Sequence, residues 1–284
     1  MKTTVEMTVV GKDHEGVVAS FTNFIFQNGG NIEKINQNVV KGLFGMYLEA
    51  SFLHKININK FNSAAEKLAR DLKMEVSIHH EATTRKKVAV LVTKEPHCLE
   101  AILDARNKNQ LRGEIAVIVG TENTLLPIAK KAKIPFILVN EKEQTDAEEK
   151  IISIMKKYNI DLIVLARYMK ILSPNFVWRY PNRIINIHPS LLPAFPGAYA
   201  YVQAYERGAK VVGCTAHYVI EDLDQGPIIF QEAFAIDEND TLESLKKKGQ
   251  SLEARTLLEA VKMHLEGRLE VYWGKVHVKP KRSK

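Results

Sequence analysis

The stretch from residue 183 to residue 229 constrains the fold and the chemistry of this chain more than any other. An apolar, β-type run ends at Asn186 and His188 and breaks into a proline-rich loop, which predicts a buried strand with two polar side chains at its carboxyl end. A second β-type run, residues 211–219, ends in a loop that carries Asp224. Open α/β sheets bind ligands at the carboxyl ends of their strands, so we expect an amide, an imidazole and a carboxylate to converge in one cleft.

These three side chains suit acyl transfer or hydrolysis without a metal or a covalent nucleophile. Asp224 can orient or deprotonate an attacking water or amine, while His188 and Asn186 donate hydrogen bonds to the oxyanion that forms on the attacked carbonyl. A single histidine at a strand end is more often a structural group than a catalyst. The clustering of three polar groups favours the catalytic interpretation.

The longer motif around these residues resembles the family of formyltransferase-fold enzymes that use 10-formyltetrahydrofolate. It comprises residues 186–197, residues 213–217 and residues 224–229. In that family an Asn, a His and an Asp are catalytic, and they match the three side chains above. Within it, the whole chain most resembles the formyltetrahydrofolate deformylases, which add water and release formate. The resemblance implies a folate substrate, a role in supplying formate to one-carbon and purine metabolism, and no cofactor or metal.

The resemblance also implies where the folate binds. A Met-x-Ile-Leu segment lies along the pterin in this family, and the matching segment here follows the predicted strand at residues 162–166. Aliphatic side chains suit the faces of a planar heterocycle whose edge bonds to the backbone, although a core role for some of them is the alternative. The expected folate-binding residues are this segment and the two residues beside the catalytic Asp: Met169, Lys170, Ile171, Leu172, Asp222 and Leu223.

The loop at residues 93–98, after the first strand of the larger domain, bears on the identity of the formyl acceptor. The similar glycinamide ribonucleotide formyltransferases have a Gly- and Ser-rich loop there, whose backbone donors hold the ribotide phosphate. This loop has no glycine and contains Glu95 and Pro96, which favours water as the acceptor. Pro189 and Ser190 favour the amine alternative, because deformylases commonly have a second His directly after the catalytic one and this segment is transferase-like.

The basic character of the chain raises a nucleic-acid alternative. The net charge is +7 and residues 275–284 form a basic tail, as a formyltransferase acting on initiator tRNA would use. The lysines are otherwise dispersed and no aromatic residues interleave, so we expect a solvated terminus and no nucleic-acid partner. A mildly basic rim also suits the glutamate tail of a folate. A folate- or amino-acid-binding regulator without catalysis is the remaining alternative.

Residues 3–80 predict a compact β-α-β-β-α-β unit that resembles an ACT domain, a small sensor module. The turn before its first helix contains glycine, which lets backbone N–H groups approach a carboxylate. The resemblance implies an amino-acid effector at Asp13, His14, Glu15 and Gly16. The alternative is that the domain only mediates assembly. In both cases we expect a homo-oligomer held partly through these domains.

The rest of the sequence predicts the domain layout. The polar residues 81–86 mark a boundary, which gives an ACT-type domain at residues 1–82, a linker at 83–86 and a catalytic domain at 87–284. The catalytic domain alternates strands and helices, which predicts a doubly wound, mostly parallel α/β sheet of the formyltransferase type. Its last helix, residues 242–264, is expected to pack on the sheet and to be capped by Asp240.

Composition narrows the class and the compartment. With 45% hydrophobic and 26% charged residues, the chain has an ordinary globular composition. Cys98 and Cys214 lie far apart without metal-binding spacing, so we expect neither a disulfide framework nor a zinc site. No run approaches the roughly 18 apolar residues of a membrane span, and the amino terminus has no apolar signal core. We therefore expect a cytoplasmic protein without a membrane partner.

Overall fold

The computed structural model describes residues 3–80, 85–194 and 200–280. Half of the predicted linker (residues 83 and 84), the motif residues Phe195, Pro196 and Gly197, and the last four residues of the basic tail lie outside these ranges. The chain divides into two compact units, residues 1–84 with Ser173–Pro181 and residues 85–172 with 182–284. None of the described helices is long and apolar enough to cross a membrane.

The first unit has the β-α-β-β-α-β order that the sequence predicts. Its antiparallel sheet has the strand order β2-β3-β1-β4, which is the split β-α-β arrangement. Both helices bury residues at helical spacing against the sheet; in the first helix these are Val17, Phe21 and Ile25. The elements are β1 (Thr3–Lys12), α1 (Val17–Gln27), β2 (Gly30–Val40), β3 (Leu43–Phe52), α2 (Ile58–Asp71) and β4 (Met74–His80).

The segment Ser173–Pro181 belongs to this first unit although it lies far along the chain. The ring of Trp178 lies against Gly45 on β3, where an added Cβ would be 2.3 Å from a ring carbon. Arg179 donates two hydrogen bonds to the carboxylate of Glu75 on β4, at 2.8 and 3.1 Å. The prediction of one boundary at residues 83–86 did not include this segment.

The second unit is a mixed α/β domain built on a seven-stranded sheet. The first half of its elements are β5 (Lys86–Val92), α3 (His97–Asn107), β6 (Gly113–Gly120), α4 (Leu126–Lys131), β7 (Phe136–Leu138), α5 (Gln144–Tyr158) and β8 (Leu162–Ala166). A short helix, α6 (Pro174–Val177), lies within the segment that belongs to the first unit. The elements that follow are β9 (Ile184–His188), α7 (Ala200–Glu206), β10 (Val211–Tyr218), β11 (Ile228–Ala235), α8 (Leu242–Leu265), β12 (Leu269–Tyr272) and β13 (Lys275–Val278).

The large sheet is mostly parallel, as predicted. Its strand order is β11-β10-β9-β8-β5-β6-β7; the strands from β9 to β7 are parallel, and β10 and β11 are antiparallel additions. From β5 the chain builds outward through β6 and β7, then returns to place β8 on the other side of β5. The strand order therefore reverses between β5 and β8, and a crevice is expected at their carboxyl ends.

The central strands β5 and β8 are apolar because they lie in the core of the second unit. All residues of β8 are buried, as are residues 88–92 of β5, so both faces of the sheet centre are covered. The predicted last helix, α8, packs against β10 and α3, and its predicted apolar residues are buried: Leu245, Leu252, Leu257 and Val261.

The predicted cap of α8 is wrong by one residue. Thr241 is the N-cap and forms a capping box with Ser244, in which each side chain bonds to the other's backbone N–H. Asp240 accepts instead from the Ser244 hydroxyl and from Lys248, 2.8 and 2.7 Å away.

His264, near the end of α8, makes the stability of the second unit dependent on pH. Its ring packs edge-on to the ring of Tyr218, and its Nδ1 is hydrogen-bonded to the Tyr218 hydroxyl at 2.8 Å. Burial, with the nearby charges of Lys86 and Arg183, lowers the pKa of His264 from 6.5 to about 3. Because the unfolded chain takes up this proton first, the contribution of the neutral imidazole is complete above pH 6.5 and is lost as the pH falls towards about 3.

We expect the free energy of unfolding to fall by on the order of a few kcal/mol between pH 7 and pH 4, and to fall less in His264→Asn. The amide oxygen of Asn can accept from the Tyr218 hydroxyl but does not titrate. Urea unfolding followed by circular dichroism at several pH values measures the slope. An equal slope in the variant and in the unmodified chain would contradict this account.

Candidate active site

The pairing of β9 with β10 brings the predicted amide and imidazole together. Asn186 and His188 alternate along β9 and therefore project from the same face of the sheet. In the antiparallel register, His217 lies opposite Asn186, and Thr215 lies opposite His188. Directly opposed residues share a face, so all four side chains lie on one side of the sheet.

His217 fixes the orientation of Asn186. The imidazole is 2% exposed, and its two nitrogens contact the Tyr218 carbonyl oxygen at 2.9 Å and the Asn186 Nδ2 at 3.2 Å. A carbonyl only accepts, so Nδ1 carries the proton and Nε2 accepts from the Asn186 amide. Burial lowers the pKa of His217, against smaller opposing effects of the Tyr218 carbonyl and Asp224, which favours this neutral tautomer.

The predicted carboxylate joins this group from the loop after β10. Asp224 has a left-handed backbone, with φ of 57°, a conformation that Asp and Asn tolerate better than most residues. Its Oδ2 lies 3.2 Å from the Nδ1 of His188, and its Oδ1 lies 3.8 Å from the Nε2 of His217. The structure therefore brings the three residues predicted to be catalytic into one cluster.

Gly226 sets how closely this loop approaches β10. The Tyr218 N–H donates to the Pro227 carbonyl at 2.9 Å, which closes the loop onto the end of the strand. A Cβ at Gly226 would lie 1.7 Å from the Tyr218 carbonyl oxygen, a distance that no side chain can occupy. That carbonyl is the one that accepts from His217, so the loop and the imidazole share a support.

Thr215 holds the proline-rich segment that follows His188. Its hydroxyl donates to the Ser190 carbonyl at 2.7 Å, and it accepts from the Leu192 N–H at 3.0 Å and from the Gln231 amide at 2.8 Å. Its hydrogen-bonding capacity is fully used. The chain that leaves His188 is thus fixed to β10 and β11 over its first four residues.

The predicted folate segment lies at the carboxyl end of β8, the neighbour of β9. Met169 and Ile171 expose 55% and 65% of their surface, whereas Leu172 is buried, so the core alternative holds for Leu172. The Met169 N–H donates to Thr93 at 3.0 Å, and Gln144 donates to the Ile171 carbonyl at 3.0 Å. Lys170 and Asp222 are exposed, and Leu223 is 52% exposed beside Asp224.

A buried polar cluster follows β5 and involves the loop at residues 93–98. His97 Nε2 lies 3.1 Å from the carboxylate of Glu253 on α8, and Cys98 beside it is fully buried. Within the described parts of the chain, these three residues are the one group whose ligand atoms, within 4.8 Å of one another, could hold a metal. Arg167 already lies 3.5 Å from the same carboxylate, and burial raises the pKa of the Cys98 thiol, which disfavours the thiolate.

The predicted effector residues lie in the other compact unit. Gly16 is the N-cap of α1, and its φ of 85° explains the glycine. Asp13 donates its N–H to the Gly42 carbonyl at 2.9 Å. His14 contacts the Leu72 carbonyl at 2.7 Å and the Glu15 carbonyl at 3.0 Å, and these two contacts, the first above all, raise its pKa.

The sequence prediction assigned no role to His217. The available signal was the alternation of Thr215 and His217 within an otherwise apolar strand, which marks one polar face. The register that places this face against Asn186 and His188 is a tertiary property. The assembled cluster offers a carboxylate as base, an imidazole and a fixed amide as donors, and a buried neutral imidazole behind them, which is suited to attack on a carbonyl.

Comparison with known proteins gives the family. The family model described as Formyl transferase matches residues 86–261, more than half of the 284 residues. The chain is 40% identical over 276 residues to formyltetrahydrofolate deformylase of Bacillus subtilis, covering 94% of this chain and 90% of that protein.

Two crystal structures show the same relationship. A formyltetrahydrofolate deformylase from Pseudomonas syringae pv. tomato is similar with a TM-score of 0.69 and 30% identity, covering 99% of this chain and 95% of that one. A glycinamide ribonucleotide transformylase from Symbiobacterium toebii is similar with a TM-score of 0.67 and 34% identity. This match covers only 70% of the present chain, although it covers 96% of the transformylase. The likeness to the deformylase extends along almost the whole chain, and the likeness to the transformylase does not.

We expect Gly226→Ala to destabilise the chain by about 2–3 kcal/mol, because its Cβ would overlap the Tyr218 carbonyl and the loop would have to move. Gly267→Ala is the control: its φ is 68° but its Cβ would contact nothing within 4 Å, so only the backbone preference, about 1 kcal/mol, is lost. Urea unfolding measures both. Equal losses would mean that the close approach at Gly226 does not constrain the loop.

Proposed function

The chain belongs to the formyltetrahydrofolate deformylase family, and from that premise we propose that Asn186, His188 and Asp224 carry its reaction. It hydrolyses 10-formyltetrahydrofolate to formate and tetrahydrofolate. The observation that carries the assignment of residues is the 3.2 Å contact between His188 Nδ1 and Asp224 Oδ2, beside an Asn186 amide fixed by a buried imidazole. The reaction drawn on these groups uses no cofactor and no metal.

In the proposed mechanism, Asp224 removes a proton from water as the oxygen attacks the formyl carbon. The new oxyanion receives hydrogen bonds from the second Nδ2 proton of Asn186 and from Nε2–H of a protonated His188, whose Nδ1–H donates to Asp224. The oxyanion then returns to a carbonyl as the C–N bond breaks, and the folate nitrogen takes up the proton that Asp224 removed from water. The products are tetrahydrofolate and formic acid, which ionises to formate.

His217 supports this mechanism without touching the reacting atoms. The Asn186 amide could rotate by half a turn and present its oxygen to the oxyanion, which would repel it. The neutral Nε2 of His217 can only accept a hydrogen bond. It therefore selects the orientation of the Asn186 amide in which Nδ2, rather than the oxygen, faces His217 and the oxyanion. Donors fixed before the reaction stabilise the oxyanion without reorganising.

We extend the proposal to the folate. The exposed side chains of Met169, Ile171 and Leu223 offer an apolar surface for the pterin, and the backbone of Lys170 and Leu172 offers hydrogen-bonding groups. Asp222 adds a carboxylate that can accept from amino groups of the pterin. The contacts of this segment with Thr93 and Gln144 keep it in place at the carboxyl end of β8.

A transferase to an amine such as glycinamide ribonucleotide is the second candidate. The likeness to a glycinamide ribonucleotide transformylase and the residues Pro189 and Ser190 favour it. The loop at residues 93–98 opposes it, because Pro96 has no N–H and the side chains of Glu95 and His97 are bonded to Gln250 and Glu253 on α8. If the formyl group leaves the folate only when glycinamide ribonucleotide is present, the protein is a transferase and not a hydrolase.

For the first unit we propose an ACT-type regulatory role in a cytoplasmic enzyme that supplies formate to purine metabolism. The split β-α-β sheet supports the domain type, and the left-handed Gly16 before α1 leaves backbone N–H groups at a helix start, where a carboxylate is favourable. Asp13, His14 and Glu15 are the side chains proposed to recognise the rest of an amino-acid effector. The two buried thiols, Cys98 and Cys214, are consistent with a reducing compartment.

We expect formate release, with kcat as the readout, to fall by about 100-fold to 1,000-fold in Asn186→Ala and His188→Ala, and by at least about 100-fold in Asp224→Asn. Asn is chosen at 224 because it tolerates the left-handed backbone and removes only the charge. The exposed residues Asp104 and His277 supply controls, Asp104→Ala and His277→Ala, which should keep normal turnover. Near-normal kcat in any two of the three variants would reject the assignment.

The proposed homo-oligomer uses β2, an edge strand of the first sheet. Ile35, Val39 and Val40 on this strand are 40%, 45% and 40% exposed, and an edge strand with apolar side chains is a template for pairing with another chain. A second copy of β2 extends the sheet and covers these side chains. The proposed oligomer therefore forms by sheet extension.

Ile35→Lys should weaken self-association by about tenfold or more, because a charge would enter the paired edge. Leu53→Lys is the matched control, since Leu53 is 86% exposed and lies after β3 rather than on the edge strand. Sedimentation equilibrium over a range of concentrations gives the association constants. An unchanged constant for Ile35→Lys would exclude β2 from the interface.

A further inference from the structure

The chain enters the first unit a second time at Ser173–Pro181, a segment that we call the strap. The strap begins directly after residues 169–172, the folate segment, and two residues separate its end from β9. It therefore joins the residues proposed to bind the folate to the strand that carries Asn186 and His188. The contacts that hold the strap in place consequently bear on the active site.

A tryptophan and an arginine hold the strap within the first unit. The indole ring of Trp178 lies on β3 over Gly45, where a Cβ would be 2.3 Å from one ring carbon and 2.7 Å from another. Glycine within a strand weakens it and commonly marks such a close approach. Arg179, the next residue, donates two hydrogen bonds to Glu75 on β4, and only 12% of its side chain is exposed.

Contacts within the strap make it rigid. Ser173 caps α6, because its hydroxyl oxygen accepts from the Phe176 N–H at 3.3 Å. The ring of Phe176 packs against that of Tyr180, with centroids 5.3 Å apart. Arg179 also donates to the backbone and side-chain oxygens of Asn175, both at 3.1 Å. A segment with these bonds moves as one piece, so the position of one end determines that of the other.

The two ends of the strap join parts of the second unit that are held with different strength. β9 lies in the backbone ladder between β8 and β10. The folate segment lies after β8 and outside that ladder, and the Thr93 and Gln144 side chains bond to its backbone at Met169 and Ile171. A loosened strap should therefore displace the folate segment and leave the catalytic strand in place.

We propose that Trp178 is a positioning residue for folate binding. Its packing against Gly45 keeps the strap rigid, and the strap holds the folate segment at the carboxyl end of β8. Trp178 does not contact the folate and acts through the backbone that connects it to residue 172. The inference rests on the proposed function, which gives residues 169–172 their role. The first unit thus contributes to substrate affinity without supplying a contact to the substrate.

Gly45→Ala tests the proposal, because its Cβ would displace the Trp178 ring and leave every residue of the strap unchanged. The readouts are the dissociation constant of tetrahydrofolate, from anaerobic titration calorimetry, and the KM and kcat of formate release. We expect the dissociation constant and KM to rise by at least about tenfold and kcat to change by less than about threefold. Partial unfolding would instead lower the apparent kcat and leave KM unchanged, because fewer molecules would be active.

Gly30→Ala is the matched control. Its Cβ would lie 2.7 Å from the ring of Phe52, so it crowds an aromatic ring of the same unit without touching the strap. We expect its KM to equal that of the unmodified chain. Trp178→Ala is the second test variant, because it removes the ring and inserts nothing into β3. It should raise KM and the dissociation constant as Gly45→Ala does, and it does not depend on the folding of Gly45→Ala.

Tryptophan fluorescence measures the packing of Trp178 without catalysis. The chain has two tryptophans, and the other, Trp273, is 97% exposed. In a Trp273→Phe background, quenching by acrylamide therefore reports the exposure of Trp178 alone. We expect stronger quenching after addition of Gly45→Ala than after addition of Gly30→Ala. Equal quenching in a folded Gly45→Ala chain would show that Gly45 does not hold the ring and would overturn the proposal.

Three further results would overturn it. These are an unchanged tetrahydrofolate affinity in Trp178→Ala, a rise of KM in Gly30→Ala equal to that in Gly45→Ala, and a fall of kcat at constant KM in either test variant. The calorimetric titration does not require catalysis. Absence of formate release from the unmodified chain, with the affinity differences intact, would reject the proposed function and leave the role of Trp178 standing.

Discussion

The antiparallel pairing of β10 with β9 is the constraint on which the active site depends. A parallel neighbour would place its own carboxyl end beside that of β9, but the antiparallel β10 runs its middle residues past it. His217 therefore reaches Asn186 from within a strand, where the backbone ladder fixes its position. The Tyr218 carbonyl then sets the tautomer of His217, which sets the orientation of the Asn186 amide. One ladder thus determines the direction of a hydrogen-bond donor.

Asp224 lies near two imidazoles that have different electrostatic roles. It contacts His188 at 3.2 Å, within hydrogen-bonding distance, and stands 3.8 Å from His217, beyond it. Burial lowers the pKa of His217 and so favours its neutral form, against the smaller opposing effect of Asp224. A protonated His217 would have an N–H at Nε2, where the Asn186 amide needs a hydrogen-bond acceptor. The burial of His217 therefore protects the orientation of the amide as well as the charge of the site.

The sequence was sufficient to predict what local patterns determine. The element order of the first unit and the alternation of strands and helices in the second follow from apolar periodicity, although β11 and α6 were not predicted. Asn186, His188 and Asp224 follow from a motif at strand ends. Long-range features could not be predicted in the same way. Ser173–Pro181 belongs to the first unit through contacts such as that of Trp178 with Gly45, and Glu253 meets His97 across 156 residues of sequence on a helix whose pattern indicates only a buried face. The predicted N-cap of α8 was wrong by one residue. Asp240 and Thr241 are both good N-cap residues, and the bond from Lys248 to the Asp240 side chain decides between them.

A hydrolase within a fold shared with transferases does not need a special site for its acceptor. Water needs no binding site of its own, so the base and donors that promote attack by an amine can also promote attack by water. What distinguishes the two reactions is whether a larger acceptor gains binding energy nearby, since only bound groups are held in attacking geometry. Ligands of such sheets bind at the carboxyl ends of strands where the order reverses, which here are β5 and β8, and there His97 lies 3.1 Å from the carboxylate of Glu253. The choice between water and an amine therefore depends on groups beside the catalytic residues rather than on the catalytic residues themselves.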